Sequence, residues 1–342
     1  MKLCEFDYDL PKDLIAQFPL EKRDASRLLV LDRTNQNIFH RNFYDVADYF
    51  SKGDTLVLNN TKVILARLFG NRKETGGKVE VLLQEKVGKK QFRALIKPLA
   101  RLKPGEEVAI NNNGINFKVV DFKKRIIEFN KQGILNRLNA IGHVPLPQYI
   151  KRSDSLSDRK TYQTVYAKKQ GSIAAPTAGL HFTRDLLRKI RKKGVNIAFV
   201  TLHVGYGTFA SIKEDDISRH KMEEEYFQIP KETVSLIKDT KRKSKKVFAV
   251  GTTTTRALES SQDKILSRAA PKDTQGRTDL FIHPPFKFNV VDSLITNFHL
   301  PKSTLYLLVS AFAGLDNIKK VYQEAIENRY RFFSYGDATL IL

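Results

Sequence analysis

The segment "KKVFAVGTTTTRALESS", residues 245–261, carries the clearest structural pattern in this chain. Four apolar residues, Val247 to Val250, lead to Gly251, and residues suited to a helix follow. A short apolar run that stops at glycine and continues with a helical pattern is typical of a strand, turn and helix. This unit is the building block of α/β proteins.

The same alternation continues upstream of this segment. "FTRDLLRKIRKKG", residues 182–194, has apolar residues at helical spacing and ends in glycine, which is a common helix stop. "VNIAFVTLHVG", residues 195–205, has the composition of a buried strand. We therefore predict an α/β main domain with a mixed sheet.

Residues 63–129 have a different character, with short strands separated by turns. The strand segments are "KVEVLLQEK" (78–86), "QFRALIKP" (91–98), "EEVAI" (106–110) and "INFKVVDF" (115–122). Asn113-Gly114 between apolar runs is a strong hairpin signal. Evenly spaced short strands predict a small antiparallel β-barrel. We expect this barrel, residues 63–148, to interrupt a main domain formed by residues 1–62 and 149–342.

The composition points to a polyanionic partner. The 342 residues contain 59 Lys and Arg against 37 Asp and Glu, which gives a net charge of +22. This excess favours nucleic-acid binding, although a lysine-rich solvated surface would have the same composition. One cysteine, the absence of a signal-peptide pattern and a longest apolar run of only residues 304–315 predict a soluble cytoplasmic protein without a membrane span.

Two groups of polar residues that follow apolar strands are candidates for binding. Thr252, Thr253 and Arg256 follow the strand that ends at Gly251, where the free N–H groups of a helix start favour an anion. The alternative is a capping threonine run without a ligand. Asn59, Thr61 and Arg67 at or after another apolar strand suit hydrogen bonds to a ribose or heterocycle, with an Asn-rich turn as the alternative.

"HVGYGTFA", residues 203–210, matches the spacing of a dinucleotide-binding glycine motif. No apolar helix pattern follows it, so a Rossmann site is not predicted. Gly205 and Gly207 are instead expected to let backbone approach a ligand. "SIAAPTAGLHFT", residues 172–183, is small and uncharged, and its Pro176, Thr177 and Gly179 are further candidates for a pocket wall.

Three of the seven histidines close such segments: His181, His203 and His299. Strand ends are where α/β folds place their sites, so these are the candidate proton-transfer groups. The histidines lack paired metal-ligand spacing and there is no second cysteine, so no metal site is predicted.

These segments together resemble the S-adenosylmethionine:tRNA ribosyltransferase-isomerase family of queuosine biosynthesis. The strings with the closest resemblance are "GDTLVLNNTKVILARLFG", "AAPTAGLHFT", "VTLHVGYGTF", "VGTTTTRALES", "TNFHLPKSTL" and "YRFFSYGDATLIL". The resemblance runs in order from residue 6 to the C-terminus. Tyr206 and Glu223 depart from the family's usual pattern, which leaves a role for His220 open.

The resemblance implies the reaction and the substrates. The ribosyl part of S-adenosylmethionine is transferred to 7-aminomethyl-7-deazaguanine at the wobble position of a tRNA and is isomerised. Epoxyqueuosine-tRNA forms, and adenine and methionine leave. S-adenosylmethionine is consumed as a substrate, and no further cofactor is implied. The expected partners are the tRNA anticodon arm and S-adenosylmethionine, and the chain is expected to act as a monomer.

The reaction assigns roles to the candidate residues. His181, His203 and His299 are alternative bases for the C5′ proton, and the Thr252 to Arg256 turn is expected to bind the methionine carboxylate or a tRNA phosphate. The remaining substrate-binding candidates are Asn59, Thr61, Arg67, Pro176, Thr177, Gly179, Gly205, Gly207, Asn297, Asp279 and Asp337. The two aspartates are possible partners for the sulfonium or the amine.

Two other functions would also fit a chain with this excess of Lys and Arg. A tRNA-binding protein without catalysis would release no adenine from S-adenosylmethionine. A tRNA methyltransferase would transfer a methyl group and leave S-adenosylhomocysteine. We expect the chemistry in the main domain, and we expect the barrel to contribute part of the tRNA contact.

Overall fold

The computed structural model describes residues 1–110, 114–205, 212 and 214–342. The chain forms two compact units. The first contains Met1–Lys62, Gln148–Arg152 and Thr161–Leu342. The second contains Val63–Pro147 and Ser153–Lys160.

A mixed nine-stranded sheet forms the centre of the first unit, as the alternating strand and helix patterns predict. In spatial order its strands are β15 (Thr274–Thr278), β13 (Glu225–Ile229), β12 (Asn196–Leu202), β3 (Thr55–Asn59), β14 (Val247–Val250), β16 (Ser293–Asn297), β17 (Ala338–Ile341), β1 (Arg27–Asp32) and β2 (Asn37–Asn42). The neighbours β12, β3, β14 and β16 run parallel to one another. Their carboxyl ends therefore meet at one edge of the sheet.

Both faces of this sheet are covered. Along β14, Phe248 and Val250 belong to one apolar core, whereas Val247 and Ala249 belong to the other. The helices of the first unit are α3 (Arg184–Lys192), α4 (Lys231–Arg242), α5 (Thr252–Glu259), α6 (Gln262–Leu266), α7 (Thr304–Ala313) and α8 (Leu315–Glu327). A strand buried on both faces reads as a continuous apolar run, which explains the sequence of β14.

Helix α3 shows how local signals set its ends. The Thr183 hydroxyl accepts a hydrogen bond from Leu186 N at 3.1 Å and caps the first turn. Gly194, at φ +81°, follows the last turn, in the left-handed region that glycine tolerates.

The apolar run that begins at residue 304 forms the buried helix α7. None of the described helices is long and apolar enough to cross a membrane.

The second unit is a closed antiparallel barrel of six strands. In closed order these are β10 (Ile126–Phe129), β7 (Gln91–Lys97), β6 (Lys78–Lys86), β5 (Arg67–Arg72), β8 (Glu107–Ile110) and β9 (Ile115–Asp121). Buried and partly exposed residues alternate along β6, as a filled barrel requires. Ile110 lies opposite Ile115, so the chain reverses between β8 and β9, although Asn113 lies outside the described residues.

Three short elements complete the fold: α1 (Ile134–Ile141), α2 (Asp158–Thr161) and a two-stranded sheet of β4 (Thr61–Val63) and β11 (Lys169–Ser172). The predicted domain ranges need correction at two places. Ser153–Lys160 groups with the barrel and Gln148 with the first unit. The reason for the first is polar: Asp154 accepts hydrogen bonds from His143 Nδ1 and Val144 N. No apolar periodicity marks this segment in the sequence.

Candidate active site

An open cleft lies at the carboxyl ends of β14 and β16 in the first unit. Its empty volume is about 810 Å³, part of it open to solvent. The predicted residues on its wall are Pro176, Thr177, Thr252, Thr253, Asn297 and His299. A largely apolar cleft with a few polar groups at strand ends is the usual form of a ligand site in α/β proteins.

The N-terminus of α5 opens into this cleft. Gly251, at φ +86°, starts the helix and offers no capping side chain. The hydroxyls of Thr254 and Thr255 donate to backbone carbonyls one turn earlier, at 2.6 and 3.2 Å, so they do not cap the start either. The first-turn N–H groups of Thr252 and Thr253 are therefore suited to an anion.

Asn297 ends β16 and lines the cleft. Its Nδ2 lies 3.1 Å from His181 Nε2, 3.1 Å from Phe333 O and 3.3 Å from Asp337 O. Two of these partners are carbonyls, so the amide orientation is fixed with Nδ2 toward the protein. The side chain is only 2% exposed, and its Oδ1 has no partner among the described residues. A buried acceptor without a partner is costly, which points to a ligand donor.

His181 lies behind Asn297 and does not line the cleft. Its Nε2 accepts from Asn297, so its Nδ1 carries the proton and donates to Ser26 Oγ at 2.7 Å. Burial, together with the cations of Arg23 and Arg331, lowers the pKa of His181 to about 3. The ring is neutral with both nitrogens engaged, and this placement opposes the predicted role as a base.

His299 is the histidine on the cleft wall. Its Nε2 forms a hydrogen bond with Thr296 Oγ1 at 2.9 Å, and its Nδ1 has no hydrogen-bond partner in the described part of the chain. Its backbone N–H donates to Tyr322 Oη at 2.9 Å, and its carbonyl accepts from the Tyr8 hydroxyl. Burial lowers the pKa of His299 to about 3. A neutral imidazole with one open nitrogen therefore faces the ligand space.

His203 is not among the residues that line the cleft, whereas its neighbour Val204 is. Its Nδ1 forms a 2.7 Å hydrogen bond with Thr61 Oγ1, and its ring stacks on Tyr226. A Cβ on Gly171 would lie 2.8 Å from His203 Nε2, so the backbone packs directly against the ring. The predicted roles of His203 and Thr61 are opposed by this packing.

Asn59 is fully used by the protein. Its Nδ2 donates to Leu202 O at 3.0 Å and to Thr253 Oγ1 at 3.3 Å. Its Oδ1 accepts from the backbone N–H groups of Thr61 and Leu202. Asn59 thus holds the start of α5 against β12 and does not itself face the cleft.

Arg256 belongs to a buried ion pair. It contacts the carboxylate of Glu225, and both side chains are 3% exposed. Its Nε donates to Leu280 O at 2.9 Å, and Glu225 Oε1 accepts from Gly205 N at 2.8 Å. The guanidinium is neutralised within the protein, which opposes the predicted role in binding a ligand anion.

The other predicted residues lie apart from the cleft wall. Both Asp337 carboxylate oxygens accept backbone N–H groups, from Arg27 and Arg331, and burial raises the pKa of Asp337. Asp279 is exposed. A Cβ on Gly179 would meet the Tyr166 hydroxyl at 2.1 Å, so packing requires this glycine.

Arg67 belongs to the barrel unit, where it pairs with Glu80 at 3.1 Å and donates to Leu146 O. Gly207, like Tyr206, lies outside the described residues.

Several cleft residues escaped the sequence analysis. These are Tyr149, Ala175, Val204, Lys302, Ser303 and Ser334. Tyr149 Oη and Ser334 Oγ are 2.5 Å apart and form a polar edge of the cleft. Ser334 and Lys302 lie inside segments that carry the family resemblance. Lys302 follows His299 closely in the sequence, and Ser334 closely precedes β17. This nearness was the signal that could have indicated them.

The chain is similar to proteins of known activity along its whole length. Residues 3–341 match the family described as "Queuosine biosynthesis protein". It is 52% identical over 343 residues to the S-adenosylmethionine:tRNA ribosyltransferase-isomerase of Sulfurihydrogenibium sp. (strain YO3AOP1), with all of both chains covered. It is 50% identical to that of Staphylococcus haemolyticus (strain JCSC1435), again with full coverage.

A solved structure is similar as well. The crystal structure of S-adenosylmethionine tRNA ribosyltransferase from Thermotoga maritima is 40% identical in sequence, with a TM-score of 0.57. The match covers 99% of this chain and 100% of that one.

Proposed function

The chain belongs to the queuosine biosynthesis protein family, and we propose how its cleft carries out the S-adenosylmethionine:tRNA ribosyltransferase-isomerase reaction. In this reaction the ribosyl group of S-adenosylmethionine goes to 7-aminomethyl-7-deazaguanine at the wobble position of tRNA. The products are epoxyqueuosine-tRNA, adenine and methionine.

The unpartnered Oδ1 of Asn297 is the observation that carries the assignment of the substrate site. Asn297 ends β16, and the start of α5 follows β14, its parallel neighbour. Adjacent strands lie about 4.8 Å apart, so an acceptor and a set of N–H donors stand side by side. An α-amino acid presents a donor ammonium and an acceptor carboxylate at similar spacing. We assign the carboxylate of the methionyl group to α5 and its ammonium to Asn297.

His299 is the proposed base in this cleft. The positive sulfur of S-adenosylmethionine acidifies the C5′ proton, which a positioned base can remove. The open Nδ1 of His299 accepts that proton, and Thr296 holds the other nitrogen. Burial lowers the pKa of His299 to about 3, so the ring is unprotonated at neutral pH but is a weak base, and the step depends on the acidity that the sulfonium gives to C5′. His181, by contrast, acts through Asn297 as a positioning residue.

The later steps need a neutral nucleophile and a good leaving group. The aminomethyl nitrogen forms a bond to the ribosyl group as the bond to adenine breaks, and a proton on the adenine ring assists its departure. The C5′–S bond then breaks and releases methionine as the epoxycyclopentanediol forms. Positively charged side chains nearby lower the pKa of the attacking amine and so favour its neutral form. We propose that no cofactor besides the consumed S-adenosylmethionine takes part. In the described residues, no cluster of His, Cys, Asp and Glu could hold a metal ion.

The net charge of +22 supports a tRNA substrate. We propose that the chain acts in the cytoplasm as a monomer on the anticodon arm, with the barrel supplying part of the contact. A sedimentation measurement with and without an anticodon stem-loop tests the monomer. A sedimenting species of two chains per RNA would contradict it.

The central test is adenine release from S-adenosylmethionine. We expect release that depends on tRNA bearing the aminomethyl-deazaguanine base, together with a mass gain on that tRNA. His299→Ala is expected to lower kcat more than His203→Ala does. Tight tRNA binding without adenine release would indicate a binding protein, and S-adenosylhomocysteine as product would indicate a methyltransferase.

A further inference from the structure

A second cavity lies in the first unit and shares a wall with the cleft. Its empty volume is about 430 Å³, part of it open to solvent. Ser334 lines both spaces. Pro19, Leu20 and Leu180 supply apolar surface to the second cavity. Ser334 is therefore the residue through which a group bound there would adjoin the cleft.

Two charged side chains at this cavity have opposite signs. Glu21 is exposed, with its carboxylate available to accept hydrogen bonds. Arg23 is half-buried, and its Nη1 donates to Leu180 O at 3.1 Å. The Watson–Crick edge of a guanine-type base carries N–H donors that suit a carboxylate, and its O6 acceptor suits a guanidinium.

Phe18 comes one residue before the rim of this cavity and is 61% exposed. The Arg152 guanidinium lies 4.5 Å from the centre of its ring, and Arg152 Nε donates to Gln17 O at 3.0 Å. Arg331 donates to the Phe18 carbonyl. Gln17 accepts at its Oε1 from Lys151 N at 2.7 Å. The protein thus holds an aromatic ring in the solvent on a rigid segment.

We propose that Phe18 and the second cavity bind unstacked bases of an RNA loop: the wobble base enters the cavity, and a neighbouring base stacks on Phe18. This inference rests on the proposed function. Stacking of bases on exposed aromatic rings, with cations beside them, is the common mode of single-strand recognition. The cations Lys22, Arg152 and Arg331 in this region suit a phosphate chain better than an apolar protein partner.

The shared wall gives the arrangement its purpose. A base that acts as nucleophile must leave the anticodon stack and present its amine to the S-adenosylmethionine ribosyl group. Ser334 lines both spaces. A base in the second cavity would therefore present its aminomethyl group to the cleft past this side chain. S-adenosylmethionine then lies in the cleft, and the base lies in the second cavity.

The test compares three phenylalanine variants of the full chain. The probe is a fluorescently labelled anticodon stem-loop with guanine at the wobble position, titrated at fixed salt. Phe18→Ala is expected to weaken its binding roughly 5- to 150-fold, the loss of one base stacked on an aromatic ring. Phe18→Tyr retains the ring and is expected to bind as the unchanged chain does. Phe39→Ala is the matched control, because Phe39 is 38% exposed beside Arg41 on the edge strand β2.

A second variant tests the cavity. Glu21→Gln is expected to abolish the preference for a guanine over a cytosine wobble base, with S-adenosylmethionine binding by calorimetry unchanged. Equal RNA affinity for Phe18→Ala and Phe39→Ala, in variants with unchanged thermal unfolding, would overturn the stacking site. An unchanged base preference in Glu21→Gln would overturn the cavity assignment. RNA binding is measured without turnover, so a failure of adenine release leaves this test intact.

Discussion

Two regions at the same edge of the sheet look alike in sequence and differ in structure. At the ends of β14 and β16, Asn297 and His299 retain an acceptor and a nitrogen without partners. At the end of β12 and along β13, a hydrogen bond to Thr61 and stacking on Tyr226 hold His203 outside the cleft lining, and Glu225 pairs with Arg256. A polar residue at a strand end is therefore not enough to identify a site. Asn297 is distinguished by two observations together, an amide oxygen without a partner among the described residues and a place on the cleft wall.

The largest effect that tests this contrast is on stability. Arg256→Met removes the cation that pairs with the buried Glu225 carboxylate, so we expect the free energy of unfolding to fall by about 3–5 kcal/mol. Urea unfolding measures it. Adenine release per folded molecule is expected to change by only a few-fold, and a large activity loss at unchanged stability would put Arg256 in the site.

The next effect is on substrate binding. Asn297→Ala removes the acceptor from the cleft, and loss of a hydrogen bond to a charged group costs about 1.5–3 kcal/mol. We expect the Kd for S-adenosylmethionine, measured by calorimetry, to rise roughly 10- to 150-fold. Asn196→Ala, at the amino end of β12, is the control. Equal affinities for the two variants would contradict the site.

A third effect depends on pH. The pKa of His181 is lowered by burial to about 3, whereas the unfolded chain takes up the proton near pH 6.5. Between these values only the unfolded state is protonated, so stability falls as the pH is lowered, by about 1.4 kcal/mol per pH unit. His181→Gln is expected to remove this contribution from urea unfolding at pH 6, 5 and 4. An unchanged slope would show that His181 is protonated in the folded protein.

The smallest effect is expected at the end of β12, where His203 forms a hydrogen bond with Thr61. Thr61→Val removes the 2.7 Å hydrogen bond to His203, which is expected to cost about 1 kcal/mol of stability. Adenine release is expected to stay within about twofold, because neither residue lines the cleft. A loss of activity larger than that would return His203 to the list of candidate bases.

Local patterns predicted the elements well, because their causes are local. The apolar run before Gly251 and the glycine stop at Gly194 act over a few residues, and both are visible in the structure. The alternation that marks the barrel strands is local in the same way. The polar segment 153–160 has no such pattern, and its place is set by Asp154 hydrogen bonds to another part of the chain.

The site was only partly predictable because its logic is one of pairing. Arg256 and Glu225 are 31 residues apart, and nothing in the sequence indicates that they neutralise each other. Asn297 and His181 are 116 residues apart and in contact, and of the two only Asn297 lines the cleft. Residue type and strand position suggested the candidates, whereas partners at long range selected among them.

The position of β1 has a consequence for the synthesis of this protein. β1 lies between β2, its hairpin partner, and β17, which follows about 300 residues later. At roughly 5–20 residues per second, the ribosome needs about 15–60 s to supply that second neighbour. During that time the "LLVL" edge of β1 is unpaired in the growing chain. We therefore expect slow translation or heat stress during this interval to favour edge-to-edge aggregation of the growing chain.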